Sequence, residues 1–176
     1  MSASPKSPFV SVHGKRLGIA PGYLSVDGNQ AGPPINVAAS ASGNAATTVE
    51  ATLKSYSLMA NTLNATNQGI YVRAFGTMAG NAQNKRVTLY VGGVNITTAS
   101  ITTSGNAWVL EARYYKTGSS TQRAVTSGQY AATLLALADT TDTATDTSDI
   151  TIALKATSGS GSQSDIICNG LQVGFI

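Results

Sequence analysis

The stretch Lys85-Arg86-Val87-Thr88-Leu89-Tyr90-Val91-Gly92-Gly93-Val94-Asn95-Ile96 decides the fold class of this chain. Apolar side chains occur at every second position in its first half, which is the period of a β-strand with one buried face. The Gly92-Gly93 pair separates two β-rich runs, and such a pair predicts a tight hairpin because primed turns need positive φ. The sequence therefore predicts two antiparallel strands joined by a short turn.

The same period of two recurs along most of the chain after residue 46. The candidate strands lie at residues 48–59, 70–75, 87–91, 94–96, 108–115, 150–154 and 167–175. Turn-forming Gly, Ser and Asn residues separate these runs. The pattern predicts an all-β fold, an antiparallel β-sandwich or jelly roll. The stretch 130–138 is rich in Ala and Leu, and helix and strand are equal alternatives there.

Composition excludes several other classes of protein. Charged residues make up 11% of the 176 residues, whereas Ala, Thr, Ser and Gly together make up nearly half. A coiled coil or a long helical bundle would need many more Glu, Lys, Arg and Leu residues. Hydrophobic residues reach 42%, which is enough to build a core and argues against general disorder. No apolar run approaches the roughly 20 residues of a membrane-spanning helix, and we expect no membrane partner.

The first part of the chain differs from the rest and predicts an extended N-terminal arm, residues 1–45, ahead of a sandwich domain, residues 46–176. Residues 9–13 and 23–26 alternate like two short strands, and residues 32–44 are rich in Gly, Pro, Ala and Ser. A segment with two short strands and no core of its own gains order by lying on another surface. That surface is either the main domain or a neighbouring chain.

Six residues of the arm are the candidate contacts to a partner. They are Lys6, Phe9, Val10, Val12, Lys15 and Arg16. The three cations could meet an acidic surface, although an exposed ion pair contributes only about 0–1 kcal/mol. Burial of the three apolar side chains, or addition of the arm as a strand to a partner's sheet, would contribute more.

The net charge of +3 gives little support to nucleic-acid binding. It results from 11 cations against 8 anions, and the densest basic groups are only Lys15-Arg16 and Lys85-Arg86. A nucleic-acid-binding surface would concentrate Lys and Arg along one stripe. We therefore expect no nucleic-acid partner.

Residues suited to nucleophilic or metal-dependent catalysis are scarce. His13 is the only histidine, so a Ser-His-Asp triad or a Cys-His pair would have to use a residue of the arm. The sequence contains no Gly-x-Ser-x-Gly motif. Cys168, the only cysteine, is expected to be a small buried side chain near the last strand. We expect no enzyme activity and no cofactor.

The two glutamates, Glu50 and Glu111, fall in candidate strands. Each has a cation close by in sequence, Lys54 and Arg113 respectively. This arrangement favours ion pairs on a solvated sheet over the two facing carboxylates that a glycosidase needs.

Four aspartates lie in one Thr-rich run, Asp139, Asp142, Asp146 and Asp149. Carboxylates at this density could bind Ca²⁺, which prefers oxygen ligands. The spacing lacks the Asp-x-Asp-x-Asp-Gly pattern, and Asp and Thr side chains also favour exposed loops through hydrogen bonds to the backbone. A solvated loop is therefore the favoured interpretation.

Several runs of the sequence carry a resemblance to a known family. They are residues 56–63, 69–76, 81–93, 106–108, 149–151 and 171–173, together with the opening Val12-His13-Gly14-Lys15-Arg16-Leu17-Gly18-Ile19. The pattern resembles a β-sandwich domain that recurs in virion proteins of tailed bacteriophages, among them tail-fibre and head-decoration proteins. The similarity covers residues 9–176, and its motifs are strand and turn residues. It implies a jelly-roll domain, often trimeric, without catalytic residues.

The resemblance leaves two placements in the virion. A fibre tip usually follows a long shaft, for which 45 residues are too few, whereas a decoration or cement protein needs one sandwich and an arm. We therefore expect a non-enzymatic capsid decoration protein, assembled in the host bacterial cytoplasm. Its arm would bind the major capsid protein or another virion protein, and its sandwich would form a homotrimer. The alternative is a tail- or fibre-associated protein that binds a host receptor or glycan.

A carbohydrate-binding module is a third hypothesis, from a different class. It would use exposed aromatic side chains such as Trp108 or Tyr115 as a stacking platform for sugar rings. Trp108 alternates with Leu110 and Ala112, however, and this pattern favours a place in the core.

Overall fold

The computed structural model describes residues 9–12, 15–20, 23–26, 29–31, 36–38, 40–98, 100–102, 106–145 and 147–176. Every regular element among these residues is a β-strand, and no helix occurs in this part of the chain. Two antiparallel sheets pack against each other as a sandwich, so the all-β prediction is confirmed. The strands are numbered β1 to β16 in chain order.

The smaller sheet of the sandwich has four antiparallel strands. In spatial order they are β10 (Val94–Thr97), β9 (Lys85–Val91), β15 (Ile150–Ser158) and β7 (Ala51–Leu58). Strands β9 and β10 form the predicted hairpin, with Val91 opposite Val94. The turn residue Gly92 has a φ of 60°, which glycine adopts at low cost.

The larger sheet has eight strands. Its main path is β13 (Thr133–Leu134), β12 (Thr121–Tyr130), β11 (Ala107–Gly118), β8 (Gly69–Met78), β16 (Ile166–Phe175) and β5 (Asn36–Ala38). Two short strands lie beside this path: β14 (Ala138–Asp142) pairs with β12, and β6 (Ser42–Gly43) pairs with β16. All of these pairs are antiparallel.

The stretch 130–138, for which the sequence leaves helix and strand open, forms an edge of the larger sheet. Tyr130 ends β12, Ala131 turns with a φ of 50°, and β13 returns so that Leu134 lies opposite Gln129. Strand β14 then pairs with β12 from Ala138 onward. Pairing with an existing strand satisfies the backbone groups, whereas an isolated helix of this length is only marginally stable.

The core lies between the inner faces of the two sheets and follows the two-residue period. In the central strands β8 and β11 the buried hydrophobic side chains are Ile70, Val72, Ala74, Met78, Trp108, Leu110, Ala112 and Tyr114. The residues between them project outward. Cys168 is also fully buried in this core, which confirms its predicted structural role.

The N-terminal strands form a separate four-stranded antiparallel sheet. They are β1 (Phe9–Val12), β2 (Lys15–Ala20), β3 (Tyr23–Val26) and β4 (Asn29–Ala31). The two predicted short strands correspond to β1 and β3. Among the described residues, these four strands pair only with one another, in the order in which they occur along the chain.

Residues 36–44 join the predicted arm to the sandwich. Strands β5 and β6 both pair with β16 at the edge of the larger sheet. Asn44 is buried, its Oδ1 accepts a hydrogen bond from the Ile166 N–H at 2.8 Å, and its Nδ2 donates to the Ser162 carbonyl at 2.8 Å. These contacts attach the chain before residue 45 to the sheet, while the domain boundary itself stays a prediction.

The β9–β10 turn packs closely on a buried carboxylate. Asp142 is 8% exposed, and its Oδ2 accepts hydrogen bonds from the Tyr114 hydroxyl at 2.6 Å and the Gly93 N–H at 2.9 Å. Burial and the hydrogen bond to Asp142 raise the pKa of Tyr114, so its hydroxyl keeps the proton that it donates. A Cβ at Gly92 would lie 2.6 Å from the same carboxylate oxygen. Glycine is therefore required here both by φ and by this contact.

Replacing Gly92 with Ala should destabilise the fold strongly. The left-handed backbone costs an alanine about 1–2 kcal/mol, and displacing the Asp142 carboxylate from its buried hydrogen bonds adds about 1.5–3 kcal/mol. We expect the free energy of unfolding to fall by about 2.5–5 kcal/mol, as measured by urea denaturation.

Gly161→Ala is the matched control. Gly161 also has a left-handed φ, 64°, but a Cβ there would first meet Thr48 Cγ2 at 3.6 Å, which is an ordinary contact. Its expected cost is therefore the backbone term alone, about 1–2 kcal/mol. Equal losses in the two variants would show that the contact with Asp142 does not require glycine at position 92.

Candidate functional sites

The structure places five of the six predicted arm contacts in two paired strands. They are Phe9, Val10 and Val12 in β1, and Lys15 and Arg16 in β2. The backbone therefore brings the apolar and the basic candidates together on one hairpin of the N-terminal sheet, where Val12 lies opposite Lys15. The sixth candidate, Lys6, lies outside the described residues.

The lone cysteine is held in a form unsuited to nucleophilic chemistry. Cys168 is fully buried, and its Sγ donates a hydrogen bond to the Gly170 carbonyl at 3.4 Å. Burial raises the pKa of the thiol, so the reactive thiolate is disfavoured at neutral pH. His13, its only conceivable histidine partner, lies outside the described residues.

The two glutamates make similar contacts. Glu111 lies in β11 as predicted, whereas Glu50 lies just before β7 and not in a strand. Glu111, on the larger sheet, accepts a hydrogen bond from the Tyr71 hydroxyl at 2.6 Å and pairs with Arg73 at 3.2 Å. Glu50 accepts a hydrogen bond from the Tyr90 hydroxyl on the smaller sheet at 3.1 Å. Each carboxylate therefore has a tyrosine partner, and the two do not face each other across a cleft.

The predicted ion pairs on the sheet surface exist, but with other partners. Arg73 lies directly opposite Glu111 in the antiparallel pairing of β8 with β11, whereas Arg113 is two positions along the same strand. Directly opposite positions bring side chains closest together, which explains the choice of partner. Glu50 pairs with Lys155 at 3.9 Å, and Lys54 instead donates a hydrogen bond to Ser40.

The aspartate run does not form one cluster. The partners of its members are Arg123 for Asp139, Tyr114 for Asp142, and Ser57 and Ala60 for Asp149. Asp146 lies outside the described residues. In the described part of the chain, no group of three or more acidic, His or Cys side chains is close enough to hold a metal ion. The described carboxylates of the run therefore act separately, in local contacts.

A second buried carboxylate lies at the opposite end of β9 from Asp142. Asp165 Oδ2 accepts hydrogen bonds from Ser158 and Ser160 at 2.6 Å each, and Oδ1 accepts one from Asn81 at 2.8 Å. Lys85, fully buried nearby, donates to two backbone carbonyls of the preceding loop at 2.9 Å. Burial alone would raise the pKa of Asp165, but these hydrogen bonds and the Lys85 charge hold it below its ordinary value.

The burial of Lys85 also removes one of the predicted basic groups from the surface. Only Arg86 of the Lys85-Arg86 pair is exposed. The two-residue period contains a signal for this, because Lys85 has the same parity as the core residues Val87 and Leu89. Residue type alone suggests the opposite, since lysine is rarely buried without partners.

The outer face of the larger sheet carries a varied set of side chains. From β8 and β11 they are Tyr71, Arg73, Phe75, Val109, Glu111, Arg113 and Tyr115. Two aromatic rings lie on glycines of neighbouring strands: a Cβ at Gly170 would come within 2.6 Å of Phe75, and one at Gly69 within 2.7 Å of Tyr115. Rings that cover glycines in this way stabilise a sheet.

A depression of about 150 Å³ opens on this outer face. It is lined by Tyr71, Glu111, Ala112, Arg113, Val125, Ser127 and Leu137. Burial, together with the hydrogen bond to Glu111, raises the pKa of Tyr71 to about 12. The hydroxyl therefore remains a donor to Glu111 at neutral pH, and the carboxylate keeps a fixed orientation.

The two aromatic residues considered as a sugar platform have different places. Trp108 is 2% exposed and packs in the core, as its alternation with Leu110 predicts, and its Nε1 donates to the Thr77 carbonyl at 3.3 Å. Tyr115 is half-buried on the outer face, against Gly69. The core position of Trp108 removes it as a stacking platform.

The sequence alone does not mark Tyr71 and Arg73 as site residues. Their alternation with Ile70 and Val72 is a sufficient signal that they project outward. Their contact with Glu111, however, depends on the pairing of β8 with β11. The β9–β10 hairpin separates these two strands along the chain. Periodicity specifies a face and does not specify a partner strand.

Asp165→Asn should remove a pH-dependent part of the stability. The folded pKa of Asp165 is below that of an unfolded aspartate, so its contribution is present above about pH 4 and is lost as the pH falls through the folded pKa. At pH 7 we expect the variant to be about 1–3 kcal/mol less stable by urea denaturation, with the difference shrinking towards pH 2.

Asp139→Asn is the control for this experiment. The hydrogen bond from Arg123 also holds the pKa of Asp139 below its ordinary value, but both side chains are largely exposed. Solvent screens such a pair, so we expect little change in stability at any pH. A constant stability difference between parent and Asp165→Asn from pH 7 to pH 2 would contradict the role assigned to the Asp165 carboxylate.

Comparison of the chain with family models, with curated proteins and with solved structures found no match. In the described part of the chain, no helix has the length and apolar character needed to cross a membrane.

Proposed function

We propose that this chain is a non-enzymatic structural protein of a tailed-bacteriophage virion, and within the virion a capsid decoration protein. Its N-terminal strands attach it to the major capsid protein or to another virion protein, and its sandwich packs against further copies in a homotrimer. The proposal is supported by the β-sandwich fold and by the resemblance that runs over residues 9–176.

The observation that carries the proposal is the separate N-terminal sheet. Strands β1 to β4 span residues 9–31 and pair only with one another among the described residues. A unit of this size buries too little apolar surface to be stable alone, and small units usually need a disulfide, a metal or a partner. The only cysteine of the chain is Cys168, so no disulfide closes this sheet. In the proposed role, the surface of another virion protein covers this sheet.

The surface of the sandwich supports packing against other proteins. On the smaller sheet the exposed positions include Thr52, Ser55, Ser57, Thr97 and Thr151. Small hydroxyl side chains can be covered at low cost because they find hydrogen-bond partners easily and leave no buried charge. A face of this kind suits contact between subunits.

A tail- or fibre-associated protein that binds the host is the second candidate. The depression on the outer face of the larger sheet favours it, because a decoration protein does not need a preformed polar recess. An image of particles carrying labelled protein separates the two. Signal over the head supports the decoration protein, and signal at the tail supports the alternative.

Deleting residues 1–31 should leave the sandwich folded and abolish attachment to the particle. The deletion removes β1 to β4 but keeps β5, β6 and the core residues. We expect a cooperative unfolding transition for the truncated chain. We also expect it to be lost from the pellet when it is sedimented with heads that lack the protein. Undiminished co-sedimentation would overturn the proposed attachment.

Two double variants of the full chain separate the forces within the arm. Lys15→Ala with Arg16→Ala removes at most two exposed ion pairs, so attachment should weaken by no more than about thirtyfold. Val10→Asp with Val12→Asp places charges in the buried part of the proposed contact and should abolish attachment. The reverse order of effects would show that charge, and not apolar burial, holds the arm.

A further inference from the structure

The depression on the outer face of the larger sheet contains a carboxylate that is held in place and still has a free acceptor. Glu111 Oε1 takes both the hydrogen bond from Tyr71 and the contact with Arg73 Nε. Glu111 Oε2 accepts no hydrogen bond from the described residues, and the side chain is 33% exposed. Tyr71 and Arg73 fix the carboxylate through Oε1 and leave Oε2 available to a ligand.

Beside this acceptor lies a guanidinium without a partner in the described part of the chain. Arg113 is exposed, projects from the same face as Glu111, and lines the same depression. Its five N–H groups can bind a carboxylate through two parallel hydrogen bonds. Glu111 balances only one of the two arginines near it, Arg73 and Arg113, so the group carries a net positive charge.

The rest of the depression is lined by apolar side chains and by one small polar side chain. Leu137, which is 73% exposed, and Val125 supply the apolar part of the lining. Ser127 adds a hydroxyl opposite Glu111 in the pairing of β11 with β12. The volume of about 150 Å³ is below the roughly 300–1,000 Å³ of an ordinary small-molecule pocket. It therefore suits one ring of a longer ligand.

We propose that this depression binds one pyranose ring of an acidic polysaccharide, a ring that carries a carboxylate. Arg113 binds the sugar carboxylate, and Glu111 Oε2 accepts a hydrogen bond from a hydroxyl of the ring. The C–H face of the sugar lies on Leu137 and Val125. A sugar hydroxyl can donate to Glu111 Oε2 and accept a hydrogen bond from the Ser127 hydroxyl. This site is independent of the proposed attachment through the N-terminal strands.

The test measures binding of the full chain to polysaccharides by calorimetry. The acidic probes are polygalacturonate, alginate and hyaluronan. Fully methyl-esterified polygalacturonate has the same rings without the charge, and polyglutamate has the charge without the rings. We expect saturable binding to at least one acidic polysaccharide, and none to the esterified polymer or to polyglutamate. Failure to bind any of the three acidic polysaccharides overturns the proposal, as does equal binding of polyglutamate.

Two pairs of variants locate the site. Arg113→Ala should weaken binding at least tenfold, because it removes a charge-assisted contact. Arg86→Ala, on the smaller sheet, should change binding less than twofold.

Ser127→Phe should fill the depression and block binding. Thr97→Phe, at an exposed position of the smaller sheet, should leave binding unchanged. Thermal unfolding confirms that each variant is folded. Equal losses for Arg113→Ala and Arg86→Ala would mean general attraction to a basic protein, and would overturn the site.

Discussion

The antiparallel register of β8 with β11 fixes the core and the outer face of the larger sheet in one step. Ala74 lies opposite Leu110 in the core, and Arg73 lies opposite Glu111 on the outside. Since successive side chains point to opposite faces, any register that buries the first pair also exposes the second. A slip of β8 by one residue would turn Arg73 between the sheets while Glu111 stayed outside, and desolvation of the unpaired guanidinium would oppose it. The packing of the core therefore positions the Glu111 cluster without any separate device.

A buried carboxylate with several hydrogen-bond donors lies near each end of β9. At one end Asp142 receives the Tyr114 hydroxyl and the β9–β10 turn, and at the other Asp165 receives three side-chain donors beside the buried Lys85. Asp142 supplies an acceptor to the backbone N–H of Gly93 in the turn, whereas Asp165 joins the side chains of Asn81, Ser158 and Ser160. The carboxylates thus hold the connections at both ends of the sandwich, while the apolar strands fill its middle.

The sequence is sufficient for the fold class, the hairpin at Gly92-Gly93 and the inward places of Trp108 and Cys168, because these depend on local period and turn chemistry. It is not sufficient for contacts between strands distant in sequence. Periodicity places Glu111 on a face, but its partner depends on which strand lies beside β11. The same limit explains why the aspartate run, adjacent in sequence, separates into unrelated contacts in the structure.

The chain carries few charges, and Arg113 is the only cation among the residues that line the depression. Arg73, Arg123 and Lys155 are paired with carboxylates, and Lys85 is buried. On such a surface Arg113 is not surrounded by other unpaired cations, so its attraction for an anion depends on the local geometry of the depression more than on a general basic field. Attachment through strands and apolar side chains, as proposed for the N-terminal sheet, uses no charge of the sandwich. In the proposed role, the N-terminal sheet would fix the chain to its neighbours, and the depression at Arg113 would stay open to an anionic ligand.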